Sequence, residues 1–405
     1  MEEWKEYKYT DLCTLIGGGT PKTSEPSYWG GHIPWLSVKD FGNDGKYVYS
    51  TEKSITDAGL NNSSTKLLKK DDIIISARGT IGAIAMLSSE MAFNQSCFGI
   101  RSNTLVDQHY LYYLTKTKIA ELQKNSHGSV FDTITRDTFA KLDCLIPPFE
   151  KQKAIASILS SFDDKIEVNR RINDNLEQQA QVLFKSWFVD FEPFKDGGFE
   201  ETEQGLIPKG WKAVSLSSIA DYINGLAMQK YRPTDGESGL PVLKIKELGQ
   251  GRTDDSSELC SPSLIGSKYI IDDGDIIFSW SGTLMVKVWC GGKCGLNQHL
   301  FVVEPKDYPH WFAYQWTRHH LDNFIHIAKD KAVTMGHIKR GELDKAKVVV
   351  PDGTSMATID SMMKPLHSQI ISNKIESRCL AQLRDTLLPR LMSGELKVNE
   401  IENAI

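Results

Sequence analysis

Apolar positions along the chain follow two patterns, one short and one long, and both recur. The short pattern is a β-branched or aromatic run bounded by Gly, Asp or Pro: Ile73–Ile75, Ile276–Phe278 and Val348–Val350. Such runs predict strands. Aromatic-rich stretches over 109–123 and 310–328 predict helices. The long pattern runs through Ile155, Leu159, Phe162, Ile166, Asn169, Asn173, Leu176, Ala180, Leu183 and Trp187. Its steps alternate between four and three, the spacing of a coiled-coil seam. The series recurs 204 residues later as Ile359, Met363, Leu366, Ile370, Asn373, Ser377, Leu380, Arg384, Leu387 and Leu391. Two seams with polar residues in matched middle layers predict two long helices packed on each other. Buried Asn169 and Asn373 would fix their register at some cost in stability. Pro365 predicts a restart or kink in the second helix, with Ser160, Ser161 and Asp163 marking the matching place in the first.

The short patterns also repeat in register. DIIISARGT (72–80) matches DIIFSWSGT (275–283), and Asn94-Gln95 matches Asn297-Gln298, both at an offset of 203. IPWLSVKDFG (33–42) matches LPVLKIKELG (240–249), and ITRDTF (134–139) matches IKRGEL (338–343), at offsets of 207 and 204. Ordered matches at near-constant offset indicate a duplicated α/β module of about 150 residues. The stretch FEPFKDGGFEETEQGLIPKGW (191–211) has no apolar period and reads as a linker, after which Trp211 restarts the second half as Trp4 starts the first. The expected organisation is a module over 1–148, a helical region over 149–190, a linker over 191–210, a module over 211–351, and a helical region with its tail over 352–405.

Composition narrows the class. The 405 residues are 40% hydrophobic and 24% charged, ordinary for a globular chain and unlike collagen, wholesale disorder or a disulfide mini-scaffold. The apolar runs fall far short of the roughly 18 residues of a membrane span, and the opening MEEWKEYKYT does not read as a secretory signal. Seven scattered cysteines suit a reduced, cytoplasmic protein. The net charge of −5 is spread evenly: −1 over 1–148, −2 over 149–198, −1 over 199–351 and −1 over 352–405. No basic region points to nucleic acid, so a phosphate-binding surface has to come from folding that segregates charge, or from partners.

Several segments together resemble the specificity subunit of Type I DNA restriction-modification enzymes. They are GGGTPKTSEPSYWGGHIPWLSVKDFG (17–42), DIIISARGTIG (72–82) and PPFEKQKAIASILSSFDDKIEVNRRINDNLEQQAQVLFKSWFVDFEPF (147–194), then GLIPKGW (205–211) and TLLPRLMSGELKV (386–398). The resemblance covers essentially the whole chain. The second half departs from it where GLAMQKYRPTDG replaces the Gly-Thr-Pro loop. It implies an α/β (α+β) fold of two pseudo-repeated target-recognition domains, separated by two long helices packed as an antiparallel coiled coil. It also implies a non-catalytic chain that binds double-stranded DNA and reads one half of a split target with each domain. Two methyltransferase subunits would dock on it, with restriction subunits joining the full complex. S-adenosylmethionine, ATP and Mg would then belong to the partners, and no cofactor or metal to this chain. On this reading the helices act as a ruler, because residues 149–190 span about 60 Å at 1.5 Å per residue.

The residues agree with a chain that lacks chemistry of its own. Amino-methyltransferases place Asn or Asp before a Pro-Pro-aromatic sequence, but here Ile146 precedes Pro147-Pro148-Phe149 and cannot orient an amino group. Gly17-Gly18-Gly19 lacks nucleotide-loop spacing. Cys290, Cys294 and His299 lack a fourth zinc ligand and read better as buried thiols and a polar loop. The competing readings are a self-contained DNA methyltransferase or nuclease, and a stand-alone DNA-binding scaffold.

Base readout needs polar side chains on loops, and phosphate contact needs cations. In the first module the candidates are Thr20, Lys22, Ser24, Lys39, Arg78, Thr80, Asn94, Gln95, Ser96, His127, Ser129 and Arg136. In the second they are Gln229, Lys230, Lys244, Lys246, Ser281, Thr283, Asn297, Gln298, His299, Lys331, Thr334, His337, Lys339 and Arg340. Pairs identical in both halves, such as Thr80/Thr283 and Asn94/Asn297, suit a structural role, because modules reading different bases should differ where they read. Arg78 against Ser281 is the better specificity candidate.

Overall fold

A computed structural model describes residues 4–42, 45–126, 133–202, 205–330 and 336–402. The chain forms two compact units, one of residues 1–167 with 380–405 and the other of residues 168–379. Each unit takes one α/β module together with part of both long helices.

In the first unit the strand Ile73–Ser76 lies inside a five-stranded sheet. The order of that sheet is Cys13–Gly17, Cys97–Ser102, Ile73–Ser76, Ile84–Leu87, Tyr47–Val48. The three isoleucines are all buried because both faces of the sheet are covered. Ile73 and Ile75 enter one core with Tyr110 and Tyr113 of the helix Gln108–Ser126, and Ile74 enters another with Leu36 and Phe93. This is the two-residue alternation of a pleated strand. A second sheet has the order Lys53–Ile55, Trp29–Leu36, Met91–Phe93, Leu67–Leu68. Lys5–Lys8 pairs antiparallel with Asp143–Ile146, so the start of the module is held against its end.

The second unit repeats this plan within itself. One sheet runs Ala220–Asn224, Leu300–Pro305, Ile276–Ser279, Met285–Val288, and the other runs Leu259–Cys260, Leu240–Leu243, Cys294–Leu296, Ile270–Ile271. Lys212–Ser215 pairs with Lys347–Val350. Ile276 and Phe278 face one core and Ile277 the other. The duplicated α/β reading therefore holds down to strand order. The aromatic stretch at 310–328 is two helices rather than one, His310–His319 and Leu321–Asp330. The stretch read as a linker contains a hairpin of Phe199–Thr202 with Gly205–Pro208, and Phe194 packs edge-on against Trp211 at 4.7 Å.

Both long helices, Phe149–Phe188 and Gly353–Ser393, are unbroken. The expected restart at Pro365 is absent. Pro365 and Ser361 are exposed, so the carbonyl that loses its donor faces water. Every seam position is buried or half-buried. In the first unit Ile155 and Leu159 share a core with Leu388, Leu391 and Met392. In the second, Asn169 bonds to Ser377 at 3.3 Å, Asn173 to Asn373 at 2.9 Å, and Glu177 to Lys374 at 3.0 Å. From Asn169 to Asn173 the partners fall from Ser377 to Asn373 and the Ile370 carbonyl, so the pairing is antiparallel. Asn373 therefore meets Asn173, and Asn169 meets Ser377.

Asp163, which marks the place matching Pro365, is buried. It accepts from Tyr113 Oη at 2.5 Å and pairs with Arg384, a residue of the second seam.

Candidate nucleic-acid interface

In the first module, the strand Ile73–Ser76 ends in a pinned turn. Ser76 Oγ donates to the Thr80 carbonyl and accepts from Ala83 N at 3.0 Å, and Gly82 N returns to the Ser76 carbonyl at 3.1 Å. Gly79 takes φ +76, a conformation open to glycine at no steric cost, which places Arg78 at the tip of the turn. Arg78 is exposed and has no hydrogen bond or ion pair with any described residue. Beside it lies a groove of about 330 Å³ that Gln95, Phe98, Thr135 and Arg136 also line. The Arg136 guanidinium sits 5.9 Å from the Phe98 ring centroid.

The remaining first-module candidates divide by what they already hold. Thr20 donates to Gln95 Oε1, which joins the Gly-Thr-Pro loop to the Asn94–Ser96 turn. Asn94 Oδ1 accepts from Ser96 N at 3.0 Å, so the Asn94 side chain builds that turn. Lys22 and Ser24 are exposed on the loop. Lys39 is exposed beside a separate cavity with Trp35, Glu52 and Lys53. Thr80 is exposed beside Arg78. His127 and Ser129 lie outside the described residues.

The second module builds the equivalent turn differently. Ser281 Oγ bonds to His299 Nδ1 at 3.0 Å, and Gln298 Nε2 lies 3.4 Å from His299 Nε2. Trp280 donates to Asn224 Oδ1 at 2.9 Å and packs against His299, Phe301 and His337. Ser281 also forms a backbone bridge with His337. Arg340 stands 6.0 Å from the Phe301 ring and donates to the Tyr222 carbonyl. Thr283 and Lys339 are exposed, and Asn297 is buried. Lys244 is bound to Glu258 at 2.5 Å, and with Arg232 it holds that carboxyl below the usual range. Lys246 reaches Ser256 at 3.4 Å. Gln229 and Lys230 sit exposed on a short turn apart from Ser281. Lys331 and Thr334 lie outside the described residues. The Cys290 and Cys294 thiols donate to the Val288 and Gly292 carbonyls, and burial pushes them up to about 11 and about 12.

Comparison with known proteins decides the family. A family model described as the Type I restriction modification DNA specificity domain matches twice, over residues 1–178 and 208–377. The chain belongs to this family of Type I specificity subunits. The MjaIX specificity subunit of Methanocaldococcus jannaschii is 31% identical over 99% of this chain and 95% of that protein. The HindI specificity subunit of Haemophilus influenzae is 23% identical over 98% of this chain and all of its own. The solved S subunit from M. genitalium covers 96% of each chain with a TM-score of 0.53 at 16% identity, a likeness of fold.

This specificity subunit thus carries two recognition domains, and their shared and divergent parts separate cleanly. Gly18 and Gly225 each pass so close to the Asn-Gln turn that a Cβ would lie 2.1 Å from the Asn94 carbonyl oxygen or 2.3 Å from that of Asn297. The second domain therefore keeps the contact where its loop sequence departs. The arginine-on-phenylalanine pairs also recur, Arg136 on Phe98 and Arg340 on Phe301. Sequence reasoning missed both pairs of contacts, and it missed Trp280. The offset of 203 from Phe98 to Phe301 was a usable signal for the phenylalanines.

Among the described residues, no group of three or more His, Cys, Asp or Glu is placed to hold a metal. No helix among them is long and apolar enough to cross a membrane.

Proposed function

We propose that this chain is the DNA-reading subunit of a Type I restriction-modification complex and performs no chemistry itself. Each recognition domain reads one half of a two-part duplex target. Two methyltransferase subunits dock on the chain and bring S-adenosylmethionine to the target adenines. Restriction subunits join through them and supply ATP- and Mg-dependent cleavage. The complex works in the cytoplasm, a setting compatible with seven free thiols.

The observation that carries this reading is one strand order built twice, with different side chains at the turn after the equivalent strand: Arg78 in one domain, Ser281 bonded to His299 in the other. A shared frame with divergent loop tips suits two readers of different sequences.

The test is a genome-wide map of adenine methylation in a methylation-free host that expresses the chain with its methyltransferase subunits. A two-part motif is expected. Exchange of residues 1–148 for another subunit's domain is expected to change one half of that motif and leave the other intact. A single contiguous motif, or tight stoichiometric S-adenosylmethionine binding by the isolated chain, would overturn the reading.

A further inference from the structure

Resting on the proposed function, we infer a division of labour within the first domain: Arg78 reads a guanine in its half-site, whereas Arg136 serves a frame common to both domains and carries no sequence information.

Three observations converge. The first is position. Arg78 stands immediately before Gly79, and Ser281 immediately before Gly282, and both glycines take positive φ, +76 and +65. The positive-φ glycine is therefore common to the two turns, whereas the side chain before it is not and the second turn is one residue shorter, Ser279 facing Met285 where Ser76 faces Ala83. The second is availability. Arg78 is exposed and unpaired among the described residues, on a turn that Ser76 pins from both sides. A rigid turn presenting an unengaged guanidinium loses little freedom when that fork meets a base. A guanidinium matches the O6 and N7 acceptors of guanine in the major groove, the commonest specific contact made by arginine. The third is the contrast with its neighbour. Arg136 lines the same groove, but its guanidinium rests near the Phe98 ring, and Arg340 repeats that arrangement on Phe301. A feature identical in two domains cannot tell their half-sites apart. A cation held near an aromatic face at the groove edge suits a phosphate.

The test uses the complex with its methyltransferase subunits and reads the methylation motif together with the salt dependence of DNA binding. Arg78→Ala is expected to relax one base pair, a guanine in the native motif, by roughly 5- to 150-fold. That base pair should lie in the half that exchange of residues 1–148 alters. Arg78→Lys keeps the charge without the planar fork, so it should relax the same base pair while leaving the salt slope near native. Arg136→Ala is expected to leave the motif unchanged, weaken binding to all targets alike and lower the salt slope by about one. The inference is overturned if Arg78→Ala leaves every base as stringent as native, if the relaxed base is not a guanine, or if Arg136→Ala relaxes a base. A native complex that yields no two-part motif overturns this inference and the functional reading together. A native two-part motif that Arg78→Ala leaves intact overturns this inference alone.

Discussion

Gly18 and Gly225 occupy sites where a backbone carbonyl oxygen, joined at Gly18 by the buried Phe93 ring, fills the space a methyl group would need. Alanine at either site must push the Asn94 or the Asn297 turn away. Each substitution is expected to cost its own unit about 1–3 kcal/mol, as overpacking does. Gly341→Ala, where nothing lies within 4 Å, is expected to stay within about 0.5 kcal/mol. Hydrogen exchange within the unit that carries the change would measure both. A second residue-scale prediction concerns pH. His310 Nδ1 meets His367 Nε2 at 2.8 Å in the second unit. Burial above all, then the His310 ring and the Lys374 ammonium, pushes His367 down to about 3, and burial lowers His310 as well. Both rings are neutral in the folded protein near pH 7, whereas unfolded histidine takes up its proton near 6.5. Between pH 6.5 and 3 the unfolded state binds more protons, so stability is full above that window and falls as pH drops through it. For His367 the loss by pH 5 is expected to reach about 2 kcal/mol. Asp275, raised by burial, acts in the opposite sense at lower pH. Denaturant unfolding at pH 7 and 5 should show a shallower decline in His367→Asn than in the native chain.

Helices carry their own electrostatic test. Asp163 and the seam residue Arg384 are both buried and 221 positions apart, and Asp163 also takes the Tyr113 hydroxyl. Asp163→Ala strands a buried guanidinium whose remaining described partner, Asp385, is more than half exposed. Stranding it is expected to cost the first unit about 3 kcal/mol. Replacing both partners, Asp163→Leu with Arg384→Met, in a Tyr113→Phe background, is expected to recover most of that loss. Equal unfolding midpoints for the single and the double replacement would show that the stranded charge is not the source. In the second unit the Asn173–Asn373 layer plays the register role that the heptads imply: only at this alignment does the buried Asn373 amide donate to Asn173, which in turn donates to the Ile370 carbonyl. The sequence repeat aligns Asn169 with Asn373, but an antiparallel pair brings together residues whose numbers have a constant sum, which is why the meeting partners differ.

At the scale of the whole chain, net charge governs long-range attraction to DNA. A charge of −5 without a basic segment leaves little of it. The subunit alone is expected to bind duplex DNA no more tightly than about the micromolar range at physiological salt, as non-specific binding does. Methyltransferase subunits should tighten it and steepen its salt dependence, because they add phosphate contacts. Titrations with and without the partners at several salt concentrations would check this. Nanomolar, sequence-specific binding by the lone subunit would contradict it.

Local regularities were legible before any folding. Strand runs such as Ile73–Ile75 and the four-three seam are written in local spacing, and duplication made each readable twice. Burial along the seam follows from period alone, so those positions were recoverable without coordinates. What each polar side chain does was not legible, because its partner is remote in sequence. Lys244 looked like a cation for phosphate until Glu258 was found beside it. Nothing near Asp163 in sequence announced Arg384, which comes from the other helix. Arg78 kept its availability because the turn that presents it is closed by its own neighbours, Ser76 and Gly82. Sequence by itself determined where strands, helices and candidate readers lie, since periodicity and turn chemistry are local. Tertiary structure alone decided which of those readers are engaged, since only folding brings Lys244 to Glu258, Thr20 to Gln95 and Ser281 to His299.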